Sequence, residues 1–269
     1  MVAFPPCKIN LGLSVLSKRS DGYHNLETCF YPVPWTDVLE VVSADTFEFT
    51  SSGNFIPGNS SENLCVRAYT VLKKDFDIQP VKIHLHKIIP SGAGLGGGSS
   101  DAAYTLRLLN ELFTLKLSGS VLMDYAARLG SDCAFFIHDR AMIGEGRGES
   151  LREVSLSLQG KYVIIIKPDV HISTAEAFAG ITPHERQDSI ENIVTQHPIS
   201  RWKSFLKNDF EDSVFPKYPA IRSLKEKLYS LGASYASMSG SGSAVYGIFE
   251  AAMDAGSQFE GYRSWSGYL

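Results

Sequence analysis

The chain has 269 residues, of which 44% are hydrophobic and 20% charged, with a formal net charge of −4. That length can bury one large core or two moderate ones, and two domains are expected. The acidic balance excludes a general nucleic-acid or membrane-surface binder, which needs a basic excess, but leaves room for a local anion site.

No apolar run approaches the roughly 20 residues needed to span a bilayer. The start, Met-Val-Ala-Phe-Pro-Pro-Cys-Lys, lacks the basic-then-apolar pattern of a signal peptide. Cys7, Cys29, Cys65 and Cys133 are scattered, without C-x-x-C spacing. They read as reduced thiols of a cytoplasmic protein, with neither a zinc site nor a disulfide framework.

In chain order, Ile9, Leu11, Leu13 and Val15 alternate with Lys8, Asn10, Gly12 and Ser14, which predicts a strand with one polar face. Ser20-Asp21-Gly22 marks a turn, and residues 26–42 are rich in strand formers interrupted by Pro32 and Pro34. The spacing of Leu64, Ala68, Val71 and Leu72 predicts a helix over 62–76. Residues 81–89 alternate again as a strand, Val81, Ile83 and Leu85 against Lys82, His84 and His86. A helix over 100–113 carries Ala102, Leu106, Leu109 and Phe113 on one side, with Ser99 or Ser100 available as its N-cap. A further helix, 121–129, is closed by Gly130. A hairpin over 141–158 turns at Gly146-Arg147-Gly148, and the pattern changes near Gln159-Gly160. The expected domains are therefore 1–158 and 159–269. The second opens with the strand 162–166, has helices at 200–207 and 220–231, and ends in strands flanking Ser239-Gly240-Ser241-Gly242-Ser243. Separated runs of strands and helices predict an α+β fold.

Between the strand 81–89 and the next helix lies Pro90-Ser91-Gly92-Ala93-Gly94-Leu95-Gly96-Gly97-Gly98-Ser99-Ser100. Five glycines in seven positions let backbone approach a ligand closely, and the unpaired N–H groups and dipole of the following helix favour phosphate. The alternative is a flexible surface loop. Gly92-x-Gly94-x-x-Gly97 matches the dinucleotide pattern G-x-G-x-x-G, but no second strand ending in an acid follows about 20 residues on. A Walker loop and the protein-kinase motifs are absent. The expected nucleotide is ATP, held by another loop type.

Three segments resemble the three motifs of the GHMP kinase superfamily: Pro6-Cys7-Lys8-Ile9-Asn10-Leu11, the loop 90–100, and Met238-Ser239-Gly240-Ser241-Gly242-Ser243-Ala244. Further segments resemble the branch of that superfamily whose alcohol substrate carries a cytidine diphosphate and which serves non-mevalonate isoprenoid precursor synthesis. They are Arg19-Ser20-Asp21-Gly22-Tyr23-His24, Gly130-Ser131-Asp132, residues 144–149, and Asn208-Asp209-Phe210-Glu211. The resemblance implies an N-terminal domain like that of ribosomal protein S5, a ferredoxin-like C-terminal domain, and an active site in the cleft between them. Cys7 stands where the family usually has Ala, and Cys133-Ala134 where Val-Pro is common.

What the resemblance implies of single residues stands beside a plainer reading of each. Asp132 is implied as general base; by spacing alone it is as well read as a helix cap. Lys8 is implied as the catalytic lysine that keeps Asp132 ionised and steadies the transferring phosphate, otherwise a solvated strand lysine. Asn10 is implied to orient the substrate. Pro90, Gly92, Gly94, Leu95, Gly96, Gly97, Gly98, Ser99 and Ser100 are implied to hold ATP, the two serines as caps, as phosphate and Mg²⁺ contacts, or as both. Asn63 is implied at the adenine, or is an N-cap; Lys87 is a nucleotide contact or a strand-end charge. Tyr23, His24, Thr174 and Phe178 are implied as a cytidine pocket, with Tyr23 and Phe178 stacking on the base and His24 on its edge; otherwise the aromatics are core. Rival readings are a homoserine, mevalonate or galactose kinase, a nicotinamide-dependent oxidoreductase, and a non-catalytic RNA-binding module. The expected partners are a small-molecule substrate with neither nucleic acid nor membrane, the protein being a monomer or homodimer.

Overall fold

A computed structural model describes residues 1–269. The strands in chain order are β1 (Val2–Ala3), β2 (Pro6–Lys18), β3 (His24–Thr36), β4 (Val38–Ser43), β5 (Glu48–Gly53), β6 (Val81–Lys87), β7 (Met142–Gly146), β8 (Ser150–Glu153), β9 (Tyr162–Lys167), β10 (Tyr235–Met238), β11 (Val245–Phe249) and β12 (Arg263–Tyr268). The helices are α1 (Leu64–Asp75), α2 (Gly97–Leu112), α3 (Gly119–Leu129), α4 (Thr174–Ala179), α5 (Ile190–Gln196), α6 (Ile199–Phe205), α7 (Phe210–Val214) and α8 (Pro219–Ser230), with short 3₁₀ turns at Ser60–Glu62 and Ala134–Ile137. No helix is long and apolar enough to cross a membrane.

The chain packs into two compact units, neither of them a single stretch. The first comprises Met1–Lys8, Trp35–Ser91 and Gly96–Arg140; the second comprises Ile9–Pro34, Gly92–Leu95 and Ala141–Leu269. A division at 158/159 follows chain order, whereas the packing interleaves: the first hairpin and part of the glycine loop belong with the C-terminal residues.

In the first unit a sheet runs β1-β4-β6-β5. β5 and β6 pair in parallel, and the chain between them forms α1, the crossover that parallel neighbours need. Periodicity gave no sign of β5, because Glu-Phe-Thr-Ser-Ser-Gly is too polar; it is an edge strand held only by β6. Leu39, Val41, Ile83 and Leu85 bury the inner face of this sheet, and α1 and α2 pack together with buried Ala68, Leu72, Ala102, Leu106 and Leu109.

The second unit holds two sheets, β2-β3-β7-β8 and β10-β11-β9-β12. β3 runs straight through Pro32 and Pro34, which sequence alone reads as breaks. Its pairing with β7 covers only Leu26 to Phe30, so the prolines fall beyond it and remove no bond from that ladder. In β9, Val163 to Ile166 are all fully buried because the strand is central in its sheet, between β11 and β12. One cluster joins Leu13 and Val15 of β2 to Ile164 and Ile166, to Phe210 and Val214 of α7, and to Ile221, Leu224 and Leu228 of α8. The polar face expected of β2 is also buried: Lys8, Asn10 and Ser14 are each at most 3% exposed. Polar side chains so placed must find partners inside the protein.

Candidate active site

Gly96 takes a left-handed φ of 70°, which Gly tolerates without steric cost, and the chain then turns directly into α2. The helix starts at Gly97, so Gly96 is its N-cap and Ser99 and Ser100 lie within the first turn. Neither serine is the cap that sequence alone allows. The first turn leaves its leading N–H groups without helical partners, and Gly98 faces solvent there. Gly97 is packed inward: a Cβ on it would sit 2.9 Å from Ile89 Cγ2. The Ser100 hydroxyl is fully buried without a hydrogen-bond partner. An orphaned hydroxyl beside bare helix N–H groups fits a phosphate-borne Mg²⁺, which takes oxygen ligands and keeps its contacts to substrate phosphates. No cluster of three or more acidic, His or Cys side chains is placed to hold a metal without the nucleotide.

Next to this turn Lys87, at the end of β6, is buried between Asp37 and Asp101. Its ammonium donates to Asp37 and, at 2.7 Å, to Asp101 Oδ2. Asp37 Oδ1 accepts the N–H groups of Ile88 and Ile89 at 2.6 and 2.8 Å. Burial opposes the charge on Lys87, but Asp101 and Asp37 together outweigh it and hold the ammonium above the usual lysine range. Burial, with Asp37 nearby, pushes Asp101 up to about 7 despite Lys87. The two carboxylates take two of the ammonium's three N–H donors and pin β6 to the start of α2, and Nζ lies beside the glycine loop, 2.9 Å from where a Cβ on Gly97 would stand. Lys87→Met is expected to cost about 3–5 kcal/mol, because it leaves two carboxylates buried without their cation. A chemical melt checks this; a midpoint unchanged from the parent would show the triad to be idle.

Lys8 and Asp132 come together in the same unit. Lys8 Nζ lies 3.5 Å from Asp132 Oδ2, with the lysine side chain 3% and the aspartate 33% exposed. Burial lowers the Lys8 pKa and Asp132 draws it back. Asp132 sits in the turn ahead of the 3₁₀ turn Ala134–Ile137, whose N-cap is Cys133 with no side-chain cap bond. It therefore caps no helix, and one face of its carboxylate remains open. Asn63 does cap: its Oδ1 accepts the Cys65 N–H at 2.9 Å at the start of α1. Its amide nitrogen takes no part in that cap. All four cysteines are free and buried, and burial pushes the Cys133 thiol up to about 12.

In the second unit Asn10 donates to Thr28 Oγ1 at 2.9 Å and accepts from Ser239 Oγ at 3.4 Å. Ser239 also donates to the Gly94 carbonyl at 2.9 Å. A Cβ on Gly94 would lie 2.0 Å from the Ser239 carbonyl oxygen, so only Gly fits. Ala93 and Leu95 are buried anchors of the loop, Pro90 is buried, and Gly92 is exposed opposite His171. His24 stacks on Phe178, with centroids 4.9 Å apart and planes 16° from parallel, and Phe210 meets Phe178 edge-on at 4.7 Å. Tyr23 instead stands 55% exposed with the Arg147 guanidinium 5.0 Å over its ring. The sandwich expected of Tyr23 and Phe178 is thus altered: the ring lying on Phe178 belongs to His24, and a base on that face must displace it. Thr174 opens α4, its hydroxyl 3.4 Å from that of Ser241.

Sequence reasoning did not single out Asp37, Asp101, Thr28 or Ser239. Ser239 lay inside a recognised motif and Asp101 directly after one. Asp37 and Thr28 carried no signal, since their roles depend on long-range pairing.

Comparison with known proteins agrees with this arrangement. The family model "GHMP kinases N terminal domain" matches residues 63–140, and "GHMP kinases C terminal" matches 185–262. The chain is 55% identical over 250 residues to a 4-diphosphocytidyl-2-C-methyl-D-erythritol kinase of Cytophaga hutchinsonii, covering 93% of this chain and 92% of that one. It is also 55% identical to the enzyme of that name from Bacteroides thetaiotaomicron, with the same coverage. A crystal structure of 4-(cytidine 5'-diphospho)-2C-methyl-D-erythritol kinase superposes with a TM-score of 0.82 at 30% identity, covering 99% of this chain and 98% of that one. A mevalonate kinase from Methanococcus jannaschii, 13% identical with a TM-score of 0.69 over 99% of this chain and 97% of that one, shares the fold alone. The α+β architecture is thus the GHMP kinase fold, and the chain is an ATP-using phosphotransferase acting on a small molecule. The chain belongs to the 4-diphosphocytidyl-2-C-methyl-D-erythritol kinase family of GHMP kinases.

Proposed function

We propose that the chain transfers the γ-phosphoryl group of ATP to the 2-hydroxyl of 4-diphosphocytidyl-2-C-methyl-D-erythritol, a step of non-mevalonate isoprenoid precursor synthesis. The observation that carries the chemistry is the buried Lys8 ammonium 3.5 Å from a half-open Asp132 carboxylate. Asp132 takes the proton of the attacking hydroxyl, while the Lys8 ammonium beside it steadies charge on the transferring group. The phosphates rest on the backbone of residues 92–98 and the first turn of α2. Mg²⁺ would find the hydroxyls of Ser99 and Ser100 there, and when bound it neutralises phosphate charge. Asn10, fixed by Thr28, orients the acceptor alcohol. Pro90 and Leu95 support the loop from within, Lys87 turns its third N–H donor toward the nucleotide, and Asn63 offers its amide to the adenine. In chain order we assign nucleotide handling to 1–158 and the C-terminal GHMP module to 159–269, in a cytoplasmic monomer or homodimer. ADP release with the cytidyl alcohol, run beside homoserine and mevalonate, tests the assignment. Equal or greater turnover of either rival would overturn the substrate.

Tyr23, His24, Phe178 and Thr174 form the proposed cytidine pocket. Tyr23 separates this role from a core role, because an exposed ring contributes little packing. Tyr23→Ala is expected to leave the melting temperature unchanged and to raise KM for the cytidyl substrate roughly five- to 150-fold, the worth of about 1–3 kcal/mol of base stacking. KM for ATP should not move. An unchanged KM for the cytidyl alcohol removes Tyr23 from the pocket.

A further inference from the structure

Asn208-Asp209-Phe210-Glu211 was singled out in the sequence without a chemical role, and no polar atom of the Asn208 side chain faces solvent. Its Nδ2 donates to the carbonyls of Met238 and Gly240, at 2.8 Å each, and its Oδ1 accepts the Phe210 N–H at 3.0 Å. Every hydrogen bond this amide can offer as a donor is used inside the protein, which excludes it as a ligand contact. The same segment is sewn onto β2: Leu13 N–H donates to Lys207 O at 3.0 Å, Asp209 N–H donates to Leu13 O at 2.8 Å, and the Asp209 carboxylate accepts the Val15 N–H at 2.8 Å. Glu211, also buried, accepts from the Met238 N–H, the Ser237 hydroxyl and the Lys225 ammonium at 2.9, 3.0 and 2.6 Å.

These bonds fix both ends of the short stretch 238–240, and Ser239 is the residue between them. Its hydroxyl donates to the Gly94 carbonyl at 2.9 Å, and just beyond it the Ala244 N–H donates to the Ala93 carbonyl at 3.0 Å. Gly94 has no slack against Ser239, since a Cβ would lie 2.0 Å from its carbonyl oxygen. A shift of Ser239 must therefore shift Gly94.

We propose that Asn208 is a positioning residue for nucleotide binding: by holding the Met238 and Gly240 carbonyls it seats Ser239 behind Gly94 and so sets the path of the phosphate loop. The proposal rests on that loop being the ATP site. Asn208→Asp keeps the shape but turns a donor toward two carbonyls into an acceptor; Ser239→Ala deletes the last link to Gly94. The two single variants and the double variant form a cycle, read in kcat, in KM for ATP and for the cytidyl alcohol, and in melting temperature. Reading the alcohol separately also isolates the 3.4 Å contact from Ser239 to Asn10.

Asn208→Asp is expected to raise KM for ATP about tenfold, the order expected when two buried hydrogen bonds of modest net worth are lost. The increments in kcat/KM for ATP should fall short of adding in the double variant, because both substitutions act through one seat. A residue that only stabilises the fold would lower the melting temperature and leave KM for ATP in place. Should Asn208→Asp not fold, Asn208→Ser, which keeps one donor, takes its place in the same cycle. An unchanged KM for ATP, or increments that add fully, overturns the proposal alone. Unchanged ATP affinity in Gly98→Val overturns the loop assignment, and this proposal with it.

Discussion

Asp132→Asn is expected to lower turnover by roughly 10²–10⁴-fold, the usual worth of a positioned proton transfer. The substitution suits the question because Asn is isosteric and keeps an oxygen that can accept from Lys8, 3.5 Å away. The buried ammonium therefore retains a partner, and the variant should fold. What Asn cannot do is take a proton from the attacking hydroxyl. In the proposed assignment ATP rests on backbone N–H groups of the loop and α2 and not on the Asp132 carboxylate, so nucleotide affinity by calorimetry should match the parent. KM for the cytidyl alcohol should also change little, since the loss falls on the transition state. Turnover within a few-fold of the parent, in a variant with native melting behaviour, would remove Asp132 from the mechanism.

Much of this site was legible in the sequence because its parts are local. The loop declares itself by glycines between a strand and a helix, and β2 by its period of two. α1, α3, α6 and α8 appear within a few residues of where periodicity puts them. What escaped depends on partners far along the chain. Lys87 reads as a nucleotide contact or a strand-end charge, and its buried pairing shows only when Asp37, 50 residues away, closes over it. Ser99 and Ser100 read as caps, yet the helix starts earlier because Gly96 turns left-handed and needs no side-chain cap. β12 pairs along the whole of β9 although Arg-Ser-Trp-Ser-Gly-Tyr has no clear apolar alternation. α5, seven residues long like α6, is missed as well, and its start is fixed by a distant partner, the Ile190 N–H donating to Glu27 at 3.0 Å. Within the expected aromatic group the pairing differs, since no spacing tells which of two adjacent rings, Tyr23 or His24, turns toward Phe178.

Gly98→Val tests the phosphate loop where the fold can tolerate it. Of the loop glycines, Gly94 and Gly97 are the obvious targets, but neither gives a clean answer. A side chain on Gly94 would collide with the Ser239 carbonyl, and one on Gly97 would press on Ile89 and on Lys87 Nζ, each 2.9 Å from the Cβ position. Lost ATP binding there could follow from local unfolding alone. At Gly98 the nearest heavy atom to a Cβ is Leu64 Cδ1 at 3.9 Å, an ordinary contact. The position lies within helix α2, where Val is better tolerated than Gly by a few tenths of a kcal/mol. The melting temperature should therefore hold or rise slightly. The isopropyl group would occupy the solvent-facing space over the first-turn N–H groups, through which phosphate has to approach. Losing one or two charge-assisted bonds, each worth about 1.5–3 kcal/mol, predicts ATP affinity weaker by on the order of 10–10⁴-fold. Binding of the cytidyl alcohol, measured without nucleotide, should stay near the parent value. Full ATP affinity in a stable Gly98→Val protein would place the phosphates elsewhere and leave the glycines as a packing device, since Gly94 and Gly97 would still be required by Ser239 and Ile89.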